Sequence, residues 1–149
     1  MATSATSANP DSTAATVDVI NEMVRSEFPG SRNYCHELGP GYAISRLEAS
    51  TGDLRPGGFI SGPTQFGAAD AALWFATFVG LGRMESMALT SELSIRFLRP
   101  AIGSVLYARA DIDIVTRRSV VGTVRVWCDD EVDRPTATAQ GTYAIPLPR

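Results

Sequence analysis

Residues 63–80 read PTQFGAADAALWFATFVG, and this stretch decides the fold. Its apolar residues, from Phe66 through Leu73, Trp74 and Phe75 to Val79, leave no polar face, which predicts a helix buried nearly all round. Ser61 or Gly62 can cap its start, and Pro63 suits the first turn, where a missing N–H costs nothing. Gly80 and Gly82 supply the stop. A membrane span is the competing reading of so apolar a stretch. The alanine content, Gln65, Asp70 and the alternating segments that follow argue against it.

Downstream, Leu89, Ser91, Leu93, Ile95 and Phe97 alternate with Thr90, Glu92, Ser94 and Arg96, the period of a half-buried strand. Leu106 to Ile114, Val120 to Cys128 and Thr136 to Ile145 read as three more strands joined by short polar turns. Short links exclude the crossovers of a parallel sheet, so the four strands are expected to form an antiparallel meander. Upstream, Val17, Ile20, Val24 and Phe28 recur at helical spacing over residues 13–28, with Ser12 or Thr13 as cap and Pro29-Gly30 as stop. Residues 31–41 read as loop, residues 42–48 as a strand, and residues 50–58 as a second loop. The expectation is an α+β architecture in which an antiparallel sheet wraps one long central helix. A disordered tail over residues 1–12 is expected to precede a single domain over residues 13–149.

Composition narrows the chemistry. The 149 residues carry a net charge of −3, which disfavours a polyanion-binding role. All 13 basic residues are arginine, so a Schiff-base lysine is excluded. Cys35 and Cys128 lie far apart in no metal-like spacing, and no signal peptide is evident; a cytoplasmic protein with reduced thiols is expected. The sole histidine, His36, adjoins Cys35, but neighbours in extended chain point apart, so a Cys–His pair is not supported. No cluster has metal-ligand spacing, and the acidic run 129–133 reads as a solvated hairpin tip.

Asp70 is the only ionisable residue between Arg55 and Arg83. A carboxylate placed among apolar groups costs several kcal/mol unless it is paired, wetted or useful. It lies two turns into the helix, beyond the reach of the macrodipole, with Phe66 and Trp74 four residues to either side. That is the setting of a catalytic base or nucleophile; a structural aspartate paired with an arginine such as Arg99 is the other reading. Ser61-Gly62-Pro63 ends a glycine-rich loop at a helix N-terminus, where the Gly62 and Thr64 N–H groups can stabilise an oxyanion.

The run RPGGFISGPTQFGAAD over residues 55–70, followed by FLRPA over residues 97–101, resembles the hotdog-fold acyl-CoA thioesterases of the phenylacetate-pathway (PaaI-like) group. The resemblance spans about residues 40–146 and implies a hotdog fold. It implies that Asp70 is the general base or nucleophile, that Gly62 N–H polarises the thioester carbonyl, and that Thr90, with Ser91 beside it, assists. Arg117 and Arg118 stand where CoA is usually held, and Arg55, Ser61, Pro63, Thr64, Gln65 and Arg99 complete the candidate substrate contacts. Acyl-CoA or an acyl-carrier thioester is the implied substrate; CoA is part of it, and no metal or other cofactor is expected. Neither nucleic acid nor membrane is expected as a partner. A homodimer, or a dimer of dimers with sites between subunits, is implied. Two departures stand out: Ser61-Gly62-Pro63 replaces His-Gly-Gly, and Arg55 replaces an amide residue seven positions before the glycine. They motivate the alternative of a non-catalytic hotdog module that binds acyl-CoA or a related apolar ligand.

Overall fold

The computed structural model describes residues 13–147; the tail expected over residues 1–12 lies outside them. The first helix, α1 (Val17–Glu27), is capped three or four residues later than expected, by Thr16 rather than Thr13 or Ser12: Thr16 accepts the Val19 N–H at 3.2 Å. It follows the apolar residues, since Val17 opens the spacing that sends Ile20 and Val24 into the core. Two strands follow, β1 (Tyr34–Gly39) and β2 (Tyr42–Glu48), so residues 31–41 are not simply loop. Beyond a 3₁₀ turn (Thr51–Asp53), the short strands β3 (Leu54–Arg55) and β4 (Phe59–Ile60) make a separate hairpin. Its turn places both Gly57 and Gly58 at positive φ, which a side chain would resist.

The central helix α2 (Gly62–Leu81) is capped by Ser61 and closed by Gly82 in the left-handed conformation, as the sequence suggests. The four long strands are β5 (Leu89–Phe97), β6 (Val105–Val115), β7 (Ser119–Cys128) and β8 (Ala137–Ala144). Together with β1 and β2 they form one six-stranded sheet, antiparallel throughout, in the order β1-β2-β6-β7-β8-β5. The expected four-strand meander is therefore corrected. Only β6, β7 and β8 meander; β2 occupies the free edge of β6, and β5 pairs with β8 at the far edge. The seven residues 98–104 carry the chain from β5 to β6 over the roughly 14 Å that three strand spacings require.

The sheet wraps α2 in the hotdog arrangement. Ala43 and Leu47 of β2, Leu106, Ala108 and Ala110 of β6, and Val124 and Val126 of β7 face Ala68, Ala72, Leu73 and Ala76. Small residues on both sides bring helix and sheet close. Leu73 lies over the place where Gly122 pairs with Gly141. A Cβ on Gly141 would stand 2.6 Å from the Glu92 carbonyl oxygen and 3.1 Å from a Leu73 methyl; one on Gly122 would stand 2.8 Å from Leu73. Cys35 and Cys128 are buried and free, with burial pushing their thiols up to about 12 and about 11, respectively. His36 stays exposed on the other side of β1, its ring edge-on to Tyr107, so the two adjacent residues do point apart. No helix among the described residues is long and apolar enough to cross a membrane.

Two polar devices fix the pieces around α2. Asn21 of α1 accepts the Cys35 N–H at 2.7 Å and donates to the Cys35 carbonyl at 3.0 Å, tying α1 to β1. Asp53, 5% exposed, accepts from Arg32 at 2.6 Å, from the Ser50 N–H at 2.8 Å and from Thr64 at 3.2 Å; its carbonyl takes the Ser61 N–H at 2.8 Å. The Arg32 guanidinium is the chief reason the Asp53 carboxyl is held down at about 2.

Candidate active site

Asp70 projects from the middle of α2 into a cavity of about 320 Å³. The walls are mostly apolar: Val24 of α1 and Phe28 just after it, Ala71, Trp74 and Phe75 from α2, and Ala88 and Leu89 where the chain enters β5. Phe28 meets Trp74 edge-on with ring centroids 5.7 Å apart, so the indole serves as a cavity wall as well as packing on Phe75 and Phe78. None of the ion pairs formed among the described residues includes Asp70. Its Oδ1 instead accepts two hydroxyl hydrogen bonds, from Thr90 at 2.6 Å and from Tyr143 at 2.7 Å. A carboxylate with hydroxyl donors and apolar walls can take a proton from water or attack an electrophilic carbon.

Strict alternation along β5 would send the Thr90 side chain away from the helix. A β-bulge prevents this: Thr90 pairs with Tyr143 and Glu92 with Thr142, leaving Ser91 as the extra residue. Thr90 and Tyr143 thus share the face that looks onto Asp70, while Ser91 is exposed and outside the cavity lining.

The remaining candidates are more dispersed. Ser61 Oγ takes the Thr64 N–H at 3.3 Å, Pro63 has no N–H, and the Gln65 N–H starts the helical ladder onto Ser61. Of the two proposed oxyanion donors, Thr64 is thereby engaged and Gly62 is the one left open. Gly62 packs under the Phe97 ring, and a Cβ there would come within 3.1 Å of it. Eight helical residues separate Gly62 from Asp70, about 12 Å along the axis, so the two cannot hold one carbonyl within a single copy of α2. Gln65 is buried between Ile60 and Thr136, accepting from the Thr136 hydroxyl at 2.8 Å, and is remote from the cavity. Arg99 donates to the Pro135 carbonyl at 2.9 Å rather than to Asp70. Arg55 is exposed on β3, and Arg117 and Arg118 are exposed in the β6–β7 turn. Sequence reasoning missed Tyr143, which reads only as an inward residue of the last strand. It also missed Asn33 and Ser31, which line the cavity from the segment before β1. Among the described residues no His, Cys, Asp and Glu cluster could hold a metal ion.

Comparison with known proteins agrees with this architecture. The family model of the thioesterase superfamily matches residues 57–134. A proposed thioesterase of Silicibacter sp. TM1040 is 27% identical with a TM-score of 0.79, covering 93% of this chain and 97% of its own. A mutant of the phenylacetic acid degradation protein PaaI from Thermus thermophilus is 22% identical with a TM-score of 0.63, covering 76% of this chain and 93% of its own. A Streptococcus mutans UA159 protein bound to acetyl CoA is 20% identical with a TM-score of 0.66, covering 80% and 93%. The search of curated proteins gave no match.

Proposed function

Because the chain belongs to the thioesterase superfamily, we propose that it hydrolyses acyl-CoA thioesters with Asp70 as the general base or nucleophile. One observation carries this reading: the lone carboxylate of α2 faces an apolar cavity, held by two hydroxyls and paired with no cation among the described residues. The acetyl CoA bound to the Streptococcus mutans structure supports CoA as the thiol part of the substrate. In the base route, water gives a proton to Asp70 while its oxygen bonds to the thioester carbon. The C–S bond then breaks, and the departing thiolate recovers the proton from the carboxyl, leaving a free acid and CoA. The cavity takes the acyl group, and its modest volume and aromatic lining suit a short, medium or aromatic chain.

An oxyanion donor is needed beside Asp70, and the offset of about 12 Å means that Gly62 of the same helix is too far away. Gly62 of a second copy fits this role. Strand β5 is a nine-residue edge with one side unpaired, flanked by the exposed apolar residues Met87, Leu89, Phe97 and Ile102. A twofold axis across β5 lays two α2 helices side by side in opposite directions. The N-terminal end of one then lies toward the middle of the other. The proposal is therefore a homodimer, with each site built from both copies.

The test is thiol release from short, medium, long and aromatic acyl-CoAs, with light scattering on the same samples. Turnover by a dimer, reduced about 10²- to 10⁴-fold in Asp70→Asn, is the expected result. Tight acyl-CoA binding in a calorimeter without turnover would instead assign the chain to the binding modules.

A further inference from the structure

We infer that Tyr143 is a positioning residue, which with Thr90 fixes Oδ1 of Asp70 and leaves Oδ2 as the oxygen that meets the substrate. This rests on the thioesterase reading of the same site and adds to it a residue and an assignment of roles within one carboxylate. Both short hydrogen bonds at the Asp70 side chain end on Oδ1, and Oδ2 takes none from the described residues. The Tyr143 hydroxyl also lies 3.1 Å from the Asp70 main-chain carbonyl, so a single phenol spans the backbone and the side chain of one helical residue. Such a bridge restricts rotation of the carboxylate about both of its side-chain torsions, which one donor to one oxygen does not do.

Two features make Tyr143 a dependable donor, and a third brings Thr90 to the same oxygen. Tyr143 is 4% exposed and, though next to last in β8, is held between two strands, paired with Val120 on one side and Thr90 on the other. Burial, with the Asp70 charge beside it, pushes its phenol far above the ordinary tyrosine range, so the proton stays on the tyrosine oxygen. The bulge at Ser91 is what brings Thr90 to the same carboxylate oxygen, so the backbone irregularity and the two-donor arrangement belong together. A carboxylate free to rotate presents either oxygen; one with Oδ1 occupied presents a single oxygen in one direction.

The experiment compares the unaltered protein with Tyr143→Phe, Thr90→Val, Thr90→Ser and the Tyr143→Phe/Thr90→Val pair, each checked by thermal melting. In Tyr143→Phe the ring still fills its place, and kcat is expected to fall about ten- to a hundredfold, as for lost hydrogen bonds to a charged group, with KM within about twofold. Thr90→Val lowers kcat in the same sense and Thr90→Ser restores it. Since both hydroxyls serve one oxygen, the pair falls short of the product of the single losses. A Tyr143→Phe protein that melts normally and keeps its kcat overturns the role of Tyr143 while leaving the thioesterase reading intact. Should that variant not fold, an undiminished kcat in Thr90→Val, read on protein that light scattering shows to be dimeric, overturns the assignment, because Thr90 lies outside the core and its hydroxyl is the other donor to Oδ1. Absence of turnover in the unaltered protein refutes the thioesterase reading itself and this inference with it.

Discussion

Asn21→Ala should loosen α1 without unfolding the sheet. The Asn21 amide makes two hydrogen bonds to the main chain of Cys35, at 2.7 and 3.0 Å, and replaces the strand partner that β1 lacks on that side. Each bond is worth about 1 kcal/mol net, and water can reach the half-buried site, so the loss is about 1–2 kcal/mol. The cost falls on the docking of α1, since Ile20 and Val24 are its only fully buried side chains. At about 1.4 kcal/mol per tenfold, the population with α1 undocked rises roughly 5- to 30-fold. Amide hydrogen exchange reads this directly: protons of α1 and Cys35 should exchange faster by that factor, while those of α2 around Leu73 stay unchanged. Because Val24 and Phe28 wall the cavity, KM for acyl-CoA should rise with it. Exchange within about twofold of the unaltered protein along α1 would refute the view that Asn21 is the latch.

Leu73→Ala removes a wholly buried side chain seated over Gly122 and Gly141, and should cost about 3–4 kcal/mol in denaturant titration. Asp53 gives a pH signature. Its carboxyl is held at about 2 in the fold against an ordinary value near 3.9, so the stabilisation is whole above pH 4 and fades as pH falls toward 2. With Arg32 half-exposed, the effect is discounted to about 1–2 kcal/mol. Asp53→Asn should therefore be less stable than the unaltered protein at pH 7, and the gap should close at pH 2–3 in urea titrations.

The inward faces of β6, β7 and β8 were legible from their alternation, and the long helix from an unbroken apolar run between a capping residue and a glycine stop. Where the period is weak, reading failed. Strand β1 sends only Cys35 fully inward and carries a bulge between Cys35 and Glu37, so its residues look like loop. The order of the sheet was not legible, because nothing local distinguishes β5 beside β6 from β5 beside β8. Asp70 was found by its isolation in an apolar helix, a local signal. Tyr143 was not, because it lies 73 residues away; Thr90 came only from the family resemblance, since the bulge that turns it inward breaks the alternation that made β5 recognisable. Asp53 shows a second blind spot, since an acid in a polar loop gives no hint that several donors converge on it.

The pair of facing glycines beneath Leu73 acts as a detent. A leucine resting in a notch two strands wide loses that seat when the helix turns, so the notch favours one angular setting of α2 on the sheet. Asp70 lies three residues earlier on the same rod, and its bearing toward the cavity is therefore indexed by two absent side chains on the opposite surface. Filling that notch would mis-aim the carboxylate without touching any group around it.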